Sequence, residues 1–122
     1  MNKKILIVDD EPLNSFFIKE LLVDFGCEIL VANNGVQALE KIQKFNPDLV
    51  LLDIKMPLMT GMEVLQLMSE RQLTSDTSFI MVSAYHNQQN KRQAFCLGAQ
   101  HFINKPIISE KLIRVVEECL ED

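Results

Sequence analysis

Leu49-Val50-Leu51-Leu52-Asp53 is a run of four apolar residues leading directly into one carboxylate. The segment Ile54-Lys55-Met56-Pro57-Leu58-Met59-Thr60-Gly61 follows at once and reads as a loop. A short continuous apolar run bounded by turn residues is the pattern of a strand buried on both faces. The aspartate then stands at the strand's carboxyl end, where open parallel sheets bind their ligands. Taken alone, it reads equally well as a cap for the loop, because Asp is a common turn residue.

The flanking sequence repeats the pattern. Ile5-Leu6-Ile7-Val8 is a second buried-strand run, ending in Asp9-Asp10-Glu11 and then Pro12, a residue suited to the first turn of a helix. Leu13, Phe16, Phe17, Leu21 and Phe25 recur at helical spacing and predict the inward stripe of that helix, which Gly26 stops. Ile29, Leu30 and Val31 make the next strand, and Asn33-Asn34-Gly35 a turn and helix start. Ala38, Leu39, Ile42 and Phe45 give the next stripe, closed by Asn46-Pro47 ahead of the strand that ends at Asp53. Met62, Leu65 and Met68 mark a third helix, and a polar loop is expected from Thr74 to Ser78. Phe79-Ile80-Met81-Val82 is a fourth strand ending in Ser83-Ala84. Asn87 to Gln93 is almost wholly polar and gains apolar support only near Ala94, Phe95 and Leu97, before Gly98. Phe102-Ile103 is a short fifth strand before Asn104-Lys105-Pro106, and Ser109 is the expected cap of a last helix with the stripe Leu112, Val115, Val116 and Cys119.

Five alternations of strand and helix imply a doubly wound α/β fold, a five-stranded parallel sheet with helices on both faces and right-handed crossovers. A chain of 122 residues with 48% hydrophobic content fits one domain, 1–122, with a substantial core. The net charge of −5 argues against direct nucleic-acid binding, and no apolar run is long enough to span a bilayer. Cys27, Cys96 and Cys119 are odd in number and widely spaced, which suits a reducing cytoplasm better than disulfides or zinc.

In such a sheet the strands' carboxyl ends share one edge. That edge collects Asp9 and Asp10, Asp53, Ser83 and Lys105. Carboxylates gathered there repel one another and coexist cheaply only with a cation among them. All-oxygen ligands favour a hard ion, Mg²⁺, over zinc or copper. An acid cluster, a divalent ion, a lysine and a hydroxyl together suit a phosphoryl group, whose charge they would share. An Asp carboxylate can itself accept phosphoryl.

These residues bring a family resemblance into view. Ile5-Leu6-Ile7-Val8-Asp9-Asp10-Glu11, Leu52-Asp53 with its loop to Gly61, Val82-Ser83-Ala84, Leu97-Gly98-Ala99 and Phe102-Ile103-Asn104-Lys105-Pro106 resemble, in order and spacing, the receiver domains of bacterial two-component response regulators. The likeness spans essentially the whole chain. It implies a flavodoxin-like fold with strand order 2-1-3-4-5 and a signalling role rather than that of an enzyme. Asp53 would accept phosphoryl from a histidine kinase or histidine phosphotransfer protein. Asp10, Asp53 and the backbone carbonyl of Lys55 would hold Mg²⁺, with Asp9 acting chiefly through a metal-bound water. Ser83 and Lys105 would bind phosphoryl oxygens. Ser83 and Phe102 would switch a surface made of the fourth helix, fifth strand and fifth helix toward a downstream protein or a fused output domain.

Plainer readings stand beside these. Asp9 and Asp10 could simply favour a helix amino terminus, and Phe102 could be core in both states. His86 and His101 read as surface groups, Met56, Met59 and Met62 as gap fillers, and Lys55 as a solvent-facing residue. A phosphatase of haloacid-dehalogenase type also uses an Asp after a buried strand, but carries a second Asp where this chain has Lys55. A non-catalytic interaction domain would have no reason to gather the five polar positions at one edge.

Overall fold

The two apolar runs that end in aspartate are at most 1% exposed at every residue from Ile5 to Val8 and from Leu49 to Leu52. They are inner strands of one parallel sheet. The computed structural model describes residues 3–72, 76–84 and 87–121. Its elements alternate as β1 (Lys4–Val8), α1 (Pro12–Leu22), β2 (Glu28–Ala32), α2 (Gly35–Phe45), β3 (Leu49–Leu52), α3 (Gly61–Glu70), β4 (Ser78–Ser83), α4 (Gln88–Cys96), β5 (His101–Asn104) and α5 (Ser109–Leu120). A short 3₁₀ turn, Val23–Phe25, follows α1. The strand order is β2-β1-β3-β4-β5, as the family resemblance implies.

Alternate strand residues point to opposite faces, and two cores result. Leu6, Val8, Val50, Leu52, Phe79 and Met81 meet Ala38 and Ile42 of α2, Val64, Leu65 and Met68 of α3, and Ala94 of α4. Ile5, Ile7, Leu49, Leu51, Ile80, Val82 and Ile103 meet Ile18 and Leu22 of α1 and Leu112, Val115 and Val116 of α5. Edge strand β2 alternates instead, with Glu28 and Leu30 exposed.

Helix ends follow side-chain chemistry. Pro12 opens α1. The Asn34 side chain caps α2 by accepting the Gln37 N–H at 2.9 Å. Thr60 and Glu63 form a reciprocal capping box on α3, which fixes where the loop after Asp53 ends. Gly26 and Asn46 stop their elements in left-handed conformations.

Two expectations fail. The buried face of α1 is Ser15, Ile18 and Leu22, whereas Leu13, Phe16 and Phe17 are 81%, 61% and 43% exposed. Both sets have helical spacing. At about 100° per residue they lie on opposite sides of the same helix, and the wholly apolar set packs on the sheet only in part. Leu21 and Phe25 are partly buried against the α1–α5 core. Ser109 does not cap α5: it is the first helical residue, and Ile108 occupies the cap position without a side-chain hydrogen bond. Of the expected stripe of α5, Leu112, Val115 and Val116 are buried and Cys119 is partly buried beside them. In α4 only Ala94 is buried and Phe95 is 49% exposed. His86 and part of the Thr74–Ser78 loop lie outside the described residues.

The two faces of α1 predict a contrast measurable by urea unfolding. Leu22→Ala, at a fully buried site, should cost roughly 2–5 kcal/mol. Phe16→Ala should change stability by no more than about 0.5 kcal/mol. Comparable losses at both positions would contradict the burial pattern.

Candidate functional site

The strand ladders continue one residue beyond their strands and set two aspartates side by side. The Asp9 N–H donates to the Ala32 carbonyl and the Asp53 N–H to the Val8 carbonyl, at 3.1 and 3.0 Å. Both residues are buried, at 2% and 8% exposure, and Asp10 beside them is exposed. Gly61 starts α3 directly beneath. Its N–H donates to the Ile54 carbonyl at 2.8 Å, and a Cβ there would collide with the Asp53 carbonyl oxygen.

Lys105 arrives from the far side of β4, after β5. Its N–H donates to the Ser83 carbonyl at 3.0 Å, which holds the residue level with the end of β4. From there its ammonium donates to Asp9 Oδ2 at 3.0 Å and to Asp53 Oδ2 at 2.9 Å. The other Asp9 oxygen accepts the Glu11 N–H at 2.9 Å. Asp9 is therefore a cap-like group as well as an ion-pair partner.

Burial lowers the Lys105 pKa, but hydrogen bonds and attraction from Asp53 and Asp9 more than offset this and leave it raised. Asp53 is raised as well. Burial pushes it up, Lys105 pulls it down, and the neighbouring Asp9 charge pushes up again. The ammonium is thus well satisfied, whereas the Asp53 carboxylate must share it.

Asp9, Asp10 and Asp53 each offer a carboxylate oxygen within 4.8 Å of the other two. The Lys105 ammonium bonds two of these three carboxylates, and every ligand atom the three offer is oxygen. The set fits a hard divalent cation such as Mg²⁺ and gives no reason to favour a soft metal. The cleft above them, about 550 Å³, is lined by Asp10, Glu11, Asn14, Asp53, Lys55, Met56, Pro57, Ala84 and Lys105.

Of the expected site residues, Asp9, Asp10, Asp53 and Lys105 come together, and exposed Lys55 stands at the rim of the cleft. Ser83 does not line the cleft: it is fully buried at the end of β4, and Ala84 takes the lining position. Phe102 is half-buried against the α2–α4 core, with the Lys91 ammonium 5.9 Å from its ring centre. Met56 and Met62 are core residues and Met59 packs on them, so the methionines fill space. His101 is partly exposed, 3.5 Å from Glu118. Asn14 lines the cleft without having stood out in the sequence. Its place in the first turn of the helix that follows the acidic residues is the available signal.

This arrangement has relatives. The model of the response regulator receiver domain matches residues 5–117. The chain belongs to the response regulator receiver family. It is 37% identical over 121 residues to the chemotaxis protein CheY of Bacillus subtilis (strain 168), covering 98% of this chain and 99% of that protein. It is 39% identical to a protein-glutamate methylesterase/protein-glutamine glutaminase of Rhodospirillum rubrum, covering 97% of this chain but only 32% of that protein. Among solved structures it superposes with a TM-score of 0.85 and 34% identity on the response regulator TrrA of Thermotoga maritima in complex with Mg²⁺ and beryllium fluoride, covering 97% and 99% of the two chains. The molecule is a receiver domain of two-component signalling with five parallel strands in flavodoxin-like order. Among the described residues no helix is long and apolar enough to cross a membrane.

The raised Asp53 pKa gives this receiver a testable pH signature. A carboxyl whose folded value lies above its unfolded value supports the fold fully below 3.8, and that support is lost as pH rises through the folded value. In EDTA, the stability difference between the native chain and Asp53→Asn should therefore shift toward the variant as pH rises from about 4 to neutrality, as chemical denaturation would show. A shift toward the native chain would mean that Lys105 outweighs burial at Asp53.

Proposed function

We propose that Asp53 is the phosphoryl acceptor of this receiver. The observation that carries this reading is the Lys105 ammonium held between Asp53 and Asp9, with Asp10 alongside, at the mouth of an open cleft. An Asp53 carboxylate oxygen attacks the phosphorus of a phosphohistidine, the P–N bond breaks, and an acyl phosphate forms as the imidazole leaves. Lys105 then moves its charge from carboxylate to phosphoryl oxygen. Asp10, Asp53 and the Lys55 backbone carbonyl would hold Mg²⁺, which would supply further neutralisation of the phosphoryl charge. Asp9 has both oxygens engaged, with the Glu11 N–H and Lys105, and would act on the metal through water.

The donor is a histidine kinase or a histidine phosphotransfer protein in the cytoplasm. Leu13 and Phe16, exposed on the same first turns of α1 as cleft-lining Asn14, offer a protein donor an apolar contact. The chain assists its own phosphorylation and dephosphorylation and has no separate enzymatic role. Its output is a conformational change: Ser83 turns toward the phosphoryl group, Phe102 moves inward, and the α4-β5-α5 surface changes for a downstream protein or a fused output domain. The thin anchoring of α4, with Ala94 as its one buried residue, suits such a rearrangement.

Acetyl phosphate with Mg²⁺ should add one phosphoryl group to the native chain, seen by intact-mass spectrometry, and none to Asp53→Asn. A full adduct on that variant would move the acceptor to another residue.

A further inference from the structure

Among the described residues, one buried side-chain polar atom has no hydrogen-bond partner: Oδ1 of Asn104. Asn104 ends β5 and stands in register with Ser83, which ends β4. Side chains two apart on a strand share a face. Asn104 therefore shares the face of Phe102, and Ser83 that of Met81. Both of those residues belong to the α2–α4 side of the sheet. Ser83, Phe102 and Asn104 thus lie on one face at the carboxyl end of neighbouring strands, and Lys105 is next in the chain.

An amide carbonyl left unpaired in the interior raises the energy of whichever arrangement leaves it so, and native structures hold few such groups. The neighbouring Ser83 is itself engaged in a contact here, so turning it toward a phosphoryl group has a cost. We propose that Asn104 is a positioning residue for the switch: its unpaired Oδ1 raises the energy of the phosphoryl-free arrangement, and the turn of Ser83 toward a phosphoryl group on Asp53 opens space in which Oδ1 gains a donor. This rests on Asp53 being the acceptor. The relief at Asn104 offsets the contact given up by Ser83 and brings the two arrangements closer in energy. A ligand that prefers one arrangement binds more weakly as that arrangement becomes rarer in the free protein. An apolar residue at 104 needs no partner, would settle the phosphoryl-free arrangement, and would weaken any phosphoryl mimic.

Two variants test this. Asn104→Leu keeps the branching of the side chain without its polar atoms, and Asn104→Ala removes the amide without adding bulk. Beryllofluoride would be titrated into native and variant chains at saturating Mg²⁺, following the amide signals of residues 87–104. Both variants should bind beryllofluoride several-fold, up to roughly tenfold, more weakly. Their affinity for Mg²⁺ alone should match the native chain, and the thermal midpoint of Asn104→Leu in EDTA should equal or exceed it. A packing role alone would move the midpoint and leave the beryllofluoride affinity in place. Unchanged or tighter beryllofluoride binding in the variants overturns the proposal. A native chain that fails to bind beryllofluoride would overturn the reading of Asp53, and this proposal with it.

Discussion

Two buried carboxylates on adjacent strands are the constraint around which this receiver is arranged. Asp9 and Asp53 directly follow β1 and β3, which pair with each other, so their side chains lie side by side. Like charges removed from water are costly unless a cation joins them. Lys105 supplies one, and it does so from across the sheet. β4 must lie between β3 and β5, and the Lys105 N–H must bond to the end of β4, for the ammonium to reach both carboxylates at once. Breaking that placement at any strand would leave buried charge unpaired.

The surrounding elements serve the same edge. Pro12 starts α1 two residues after Asp10, and Glu11 between them lends its N–H to Asp9. Gly61 lets α3 begin against the Asp53 backbone, where any side chain would intrude, and the Thr60–Glu63 box pins that start. Two apolar cores, above and below the sheet, pack against the strands that carry the acid pocket, whereas α4 buries only Ala94. This contrast follows from how apolar residues are distributed along one chain.

Much of this was legible in the sequence because buried parallel strands are written as unbroken apolar runs, and the polar residue that follows each run must appear at one edge. Asp9, Asp10, Asp53 and Lys105 were placed on that basis. The orientation of α1 was not legible. Leu13, Phe16 and Phe17 compete with Ile18 and Leu22 for the inward face, and only contact with β-strands and α5 decides between them. Ser109 looked like a cap, yet the chain enters α5 one residue earlier, at Ile108. Ser83 was correctly assigned to a strand end, but its complete burial depends on the neighbouring strand and could not be read from local pattern.

The Lys105 ammonium occupies carboxylate oxygens that a divalent cation in the same pocket would need. Calorimetric titration of Mg²⁺ into Lys105→Met probes this competition. With the competing ammonium gone, the variant should bind Mg²⁺ more tightly than the native chain while losing stability in EDTA. Equal or weaker Mg²⁺ binding in Lys105→Met would show that the lysine and the metal do not draw on the same charge.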